Sequence, residues 1–112
     1  MNVSLTEYVG KMIKKMKRFA KMFGVCVIVV AHPTKLPAGV RASLYHISDS
    51  AHWANKADLG IIVDQDPEKV AERPNDREIV IAKVRLKRIA GMTGVVDMTF
   101  DDDAGLFRGP DF

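Results

Sequence analysis

Val25-Cys26-Val27-Ile28-Val29-Val30-Ala31, running into His32-Pro33-Thr34, is the stretch that decides the fold. Seven small or β-branched apolar residues without alternation predict a strand covered on both faces, as in a parallel α/β sheet. In open α/β sheets, ligands collect outside the carboxyl ends of the strands, so an imidazole placed there and followed at once by Pro faces the ligand. His32 is therefore the first functional candidate. The other reading of a histidine at this position is a capping group satisfied by backbone.

Before this strand, Leu5, Tyr8, Val9, Met12, Ile13, Met16, Phe19, Ala20 and Phe23 recur every three or four positions, which predicts one amphipathic helix from Ser4 to about Phe23. Ser4 with Glu7 three residues on makes a capping box, and Gly24 supplies the stop. Helix, glycine and buried strand make half of a βαβ unit, whose other half would be a strand before residue 1. After His32, the Pro- and Gly-rich stretch from Pro33 to Ser43 predicts a long loop carrying Lys35 and Arg41. Ile47 to Lys56 predicts a short helix capped by Ser48 or Asp49, and Ala57 to Val63 a second buried strand.

Residues 64–77 are polar and broken by Pro67 and Pro74, so they form an exposed connection. Glu78 to Arg88 alternates, with Ile79, Ile81, Lys83 and Arg85 on one face and Val80, Ala82, Val84 and Leu86 on the other. Gly91-Met92-Thr93-Gly94 turns the chain, Val95 to Phe100 returns as an antiparallel partner, and Asp101 to Gly105 turns it again before Leu106 and Phe107.

At 112 residues the chain is long enough for one core and too short for two, so residues 1–112 are read as a single domain. No apolar run approaches the roughly 20 residues that span a bilayer, and the basic N-terminal helix has no signal-peptide core. A cytoplasmic protein that avoids membranes is expected. The one cysteine, Cys26, falls inside the strand pattern, which excludes an internal disulfide and predicts a packed thiol. No CxxC or His/Cys cluster suggests a metal; His46 and His52 lack the spacing of a ligand set. Trp53 reads as packing, and the acidic run Asp101-Asp102-Asp103 as a solvated turn.

The net charge of +3 is mild, but its distribution is not. Lys11, Lys14, Lys15, Lys17, Arg18 and Lys21 crowd one helix; Lys83, Arg85, Lys87 and Arg88 crowd one later segment. A nucleotide or nucleic acid fits this pattern, and a solvated helix face fits the first cluster equally.

Taken in order, Val30-Ala31-His32, the basic loop 33–47, Ser48-Asp49-Ser50-Ala51, Lys56-Ala57-Asp58-Leu59, Lys83-Val84-Arg85, Gly91-Met92-Thr93-Gly94 and Val95 to Phe100 resemble the C-terminal part of the RecA-fold motor in hexameric replicative helicases of the DnaB-like, Twinkle-like and phage primase-helicase group. The resemblance covers about residues 5 to 107. It implies a partial RecA-like (P-loop NTPase) α/β sheet, with parallel core strands and a C-terminal antiparallel hairpin.

The resemblance also implies roles. His32 becomes a sensor of the γ-phosphate, acting as a hydrogen-bond donor. Lys35 and Arg41 become contacts to single-stranded DNA. Lys83 and Arg85 match the strand end that reaches a neighbouring subunit's ATP as an arginine finger. One departure bears on the finger: Gly91 stands six residues beyond Arg85 and three beyond Arg88, whereas the family's glycine follows its arginine closely. Arg85 is preferred because it shares a strand face with Lys83; Arg88 is the second choice.

No Gly-x-x-x-x-Gly-Lys-Ser/Thr occurs, and no strand ending in a Mg-holding Asp precedes the first helix. The complete family domain uses ATP and Mg, but this chain alone is expected to bind neither tightly and to hydrolyse no ATP. The implied partners are single-stranded DNA and the P-loop-bearing remainder of the motor or neighbouring subunits. Self-association through an unpaired sheet edge is also expected. A start at Met1 implies a split or degenerate prophage-type product, or a cloned fragment. Two other classes stay open: a non-catalytic nucleic-acid-binding or oligomerisation module, and a segment of another RecA-like ATPase.

Overall fold

Local signals at both ends fix the first helix. In the computed structural model, which describes residues 4–47 and 51–109, α1 runs Leu5–Phe23. The Ser4 hydroxyl accepts the Glu7 amide at 3.2 Å. Gly24 closes the other end at φ 61°, a left-handed conformation that costs glycine nothing, and its amide returns to the Ala20 carbonyl. Val9 and Ile13 are the buried residues of the apolar stripe, together with Gly10.

A single 3₁₀ turn, Leu44–His46, precedes the short helix α2, His52–Lys56, which lies against α1. A Cβ on Gly10 would stand 3.0 Å from the His52 ring, so the glycine is what lets the imidazole lie against α1. Ala54 of α2 completes a small core with Val9, Ile13 and Val84. The expected caps Ser48 and Asp49 lie outside the described residues.

The sheet has four strands in the order β1-β2-β3-β4: Leu59–Asp64, Asp76–Val84, Gly94–Asp101 and Leu106–Arg108. Every pairing is antiparallel. Ile61 faces Ile81, Val63 faces Ile79 and Ile79 faces Val96, so β-branched pairs line one side. The turn at Gly91–Gly94 forms as its glycines predict, after a four-residue helix, α3, Lys87–Ala90. The Asp101 carboxylate accepts the amides of Asp103 and Ala104 in the turn before β4.

Three expectations are corrected. The parallel core is not formed among the described residues: the backbone from Val25 to His32 joins no sheet, and Cys26 is exposed rather than packed. Ile28 and Val30 are 82% and 86% exposed. A central parallel strand gains its ladder and its cover from neighbours on both edges, and none of β1 to β4 pairs with this run. The second expected buried strand is instead the antiparallel edge strand β1, with Ile61 and Val63 exposed. Finally, Gly60 pairs with Lys83 while Ile61 pairs with Ile81, leaving Ala82 as a bulge that breaks the alternation expected through Arg88.

Candidate phosphate and nucleic-acid interface

Past the bulge, β2 ends at Val84 and delivers its two basic side chains to the C-terminus of α2. Lys83 Nζ donates to the carbonyls of Ala54 at 2.6 Å and Asn55 at 2.9 Å. Arg85 Nη2 donates to Asn55 at 2.7 Å, and Lys17 Nζ, from α1, donates to the Lys56 carbonyl at 3.0 Å. The last carbonyls of a helix have no partner within it and carry partial negative charge, so cations are their natural complement. Asp58 sits among the three cations, 3.3 Å from Lys17 and 3.2 Å from Arg85. The Arg85 amide also donates to the Asp58 carbonyl at 2.9 Å, carrying the β1–β2 ladder one step beyond the strand.

This crowding has an electrostatic consequence. Loss of water lowers the Lys83 pKa below the ordinary lysine value; the neighbouring charges of Arg85 and Lys17 push the same way, and Asp58 opposes them. Lys83 and Arg85 are thus brought together as their spacing predicts, but each is already hydrogen-bonded within the chain. Arg88, on α3, is exposed and has no side-chain partner among the described residues.

The loop candidates divide. Lys35 is exposed and unpartnered among the described residues. Arg41 is not available in the same way: Nε meets Asp64 at 3.0 Å, Nη2 meets Glu78 at 2.9 Å and Nη1 lies 3.9 Å from Asp66. The hydrogen bond to Asp64 is the largest influence, and the Arg41 pKa is raised despite partial burial. A guanidinium committed to carboxylates from two strands and a connection clamps the loop to the sheet, so the expected DNA contact at Arg41 is corrected to a structural ion-pair cluster.

His32 is exposed, and no hydrogen bond to its ring occurs among the described residues, so the backbone-capped alternative is not what the structure shows. Directly after it, Pro33 bridges to Ile47, and the Thr34 amide donates to the His46 carbonyl at 2.7 Å. The His46 Nδ1 accepts the Ser43 amide at 2.9 Å, so this histidine closes the loop. Two members of the cationic junction, Lys17 and Asp58, are not found by reading the sequence. The one signal for them is the acid of Lys56-Ala57-Asp58, which sits near a lysine in the chain but pairs with cations far from it.

No family model matches this chain. A curated relative does: over 104 residues the chain is 39% identical to the Twinkle homolog protein, chloroplastic/mitochondrial, of Arabidopsis thaliana, in an alignment that covers 91% of this chain and 14% of that protein. The solved ATPase domain of a DnaB-like helicase superposes with a TM-score of 0.81 at 24% identity, over 98% of this chain and 39% of that one. By sequence and fold together, the chain is a DnaB/Twinkle-like segment. This Twinkle-like segment thus has the α/β fold of part of a RecA-like helicase ATPase domain, with its antiparallel strands present. Among its described residues no helix is long and apolar enough to cross a membrane. The compartments in the plant relative's name belong to that relative.

Proposed function

We propose that residues 1–112 form one domain, the C-terminal portion of a replicative DNA helicase motor of the phage primase-helicase kind, acting in the cytoplasm on single-stranded DNA. The similarity to the Twinkle homologue along 91% of the chain is the observation that carries this reading. The chain supplies the parts of the motor that touch a nucleotide held elsewhere. His32, exposed and free of hydrogen bonds among the described residues, donates to a terminal phosphate. Lys35 meets the DNA backbone in the loop that follows.

Positive charge for the neighbour's nucleotide comes from the β2 tip. Lys83 and Asp58 set the direction of Arg85 through the shared α2 carbonyl and the ion pair, leaving its side chain 37% exposed. Arg88 is the second candidate, being unpartnered among the described residues. ATP and Mg belong to the complete motor, where the metal would neutralise phosphate charge. The sequence holds no phosphate-wrapping Gly-Lys-Ser/Thr loop, so hydrolysis requires a P-loop-bearing polypeptide beside it. Homo-oligomeric assembly places such neighbours at the tip of β2.

The test is reconstitution. Mixing this chain with a P-loop-bearing remainder of the motor is expected to restore DNA-stimulated ATP hydrolysis, and removing the finger should cost about 10³-fold or more. Arg85→Ala is expected to abolish the gain and Arg88→Ala to spare it; the reverse result assigns the finger to Arg88. Oligonucleotide binding with no gain in hydrolysis from the unaltered chain would instead mark a non-catalytic module.

A further inference from the structure

Beyond the loop and the β2 tip, a third basic feature belongs to neither role. Lys14, Lys17, Arg18 and Lys21 of α1, Lys56 at the end of α2 and Arg85 line an open groove to which no carboxylate and no aromatic ring contributes. Lys17 and Arg85 are anchored there by Asp58 and the α2 carbonyls. Lys14, Arg18, Lys21 and Lys56 have no ion-pair or hydrogen-bond partner for their side chains among the described residues. Four cations facing one groove without compensating charge repel one another, and an anion there would relieve that repulsion.

We propose that this groove binds the sugar-phosphate backbone of a nucleic-acid strand, without reading its bases, as a second contact apart from the 33–47 loop. The lining sets the ligand class. Without an aromatic platform there is nothing for a base to stack on, so recognition rests on phosphate charge alone. From Lys14 to Lys21 the row advances about 10 Å along the helix, room for about two or three consecutive phosphates of a strand. A compact triphosphate is ordinarily cradled by main-chain amides in a tight loop. This groove offers long side chains in a row on helix surfaces, which suits an extended polyanion.

The experiment titrates a fluorescein-labelled 20-nucleotide oligo(dT) with the full 112-residue chain, following anisotropy from 20 to 200 mM salt. Lys14→Gln/Arg18→Gln/Lys21→Gln is compared with Lys11→Gln/Lys15→Gln/Lys69→Gln, which removes the same charge outside the groove. The groove variant is expected to weaken binding at least tenfold at low salt. Its slope of log affinity against log salt should fall by about 2, at about 0.7 for each single-strand phosphate that is no longer neutralised. The control should stay within about twofold, and an abasic oligonucleotide should bind as oligo(dT) does. Equal weakening in both variants, an unchanged slope, or no binding by the unaltered chain would overturn the groove. Displacement by tripolyphosphate as effective, per phosphate, as by unlabelled oligo(dT) would assign it to condensed phosphate and overturn the nucleic-acid reading. Circular dichroism checks that α1 persists; if the triple variant loses helix, Lys14→Gln/Lys21→Gln must show the same selective weakening, with a slope change near 1.4.

Discussion

Arg41 and Arg85 both lie beside carboxylates, yet the two sites do opposite things. Arg41 meets Asp64, Asp66 and Glu78 and ties the loop to the sheet, whereas Arg85 shares the single Asp58 with Lys17. Arg41→Ala should leave three carboxylates facing one another and cost about 1 kcal/mol at neutral pH, after allowance for solvent screening. Urea midpoints check this, and the cost should shrink below about pH 4 as the carboxylates protonate. Asp101 gives a second pH dependence. Its pKa is held below the ordinary aspartate value by the Arg108 hydrogen bond first and the Ala104 amide next. A depressed carboxylate stabilises the fold above its unfolded pKa, about 3.9, and loses that contribution as pH falls through the folded value. Asp101→Asn should therefore flatten the acid limb of stability between about pH 4 and 2. The pairing of Lys83 with Arg85 was legible because two basic residues one apart near a strand end share a side. Arg41's ties were not, since its partners lie 23 to 37 positions further along the chain.

At the scale of elements, α1 and its ends were legible because Ser4, Glu7 and Gly24 act within a few residues of themselves. The Val25–Ala31 run departs from its expectation for the opposite reason: composition reports what a segment would do beside the right neighbours, and the ladder lies in the neighbours. The bulge at Ala82 was invisible, being a property of two strands rather than one. The first of those strands meets Leu44 at Gly60, where a Cβ would collide with the Leu44 methyls. Gly60→Ala is expected to cost about 1–3 kcal/mol through overpacking. Adding Leu44→Ala should recover part of that cost, so that the double variant is less damaged than the sum of the singles; simple additivity in chemical denaturation would refute the contact.

Over the whole molecule, buried apolar side chains are few and exposed ones many. Ile28, Val30, Ile61 and Val63 are open to solvent although their types belong to interiors. The isolated chain should bind an apolar dye and sediment faster than a 12.4 kDa monomer, and Ile28→Glu/Val30→Glu should reduce both. Dye-free, monomeric behaviour across micromolar concentrations would contradict the proposed homo-oligomeric assembly. The cationic junction has a different consequence. Since α2 has five residues, its last turn is fastened chiefly by side chains borrowed from α1 and β2. Any anion that recruits Arg85 competes with that fastening, and by reciprocity the free energy it takes from the helix is subtracted from its own affinity. Faster deuterium uptake at the amides just after α2 would then serve as a built-in gauge of whether the arginine is occupied.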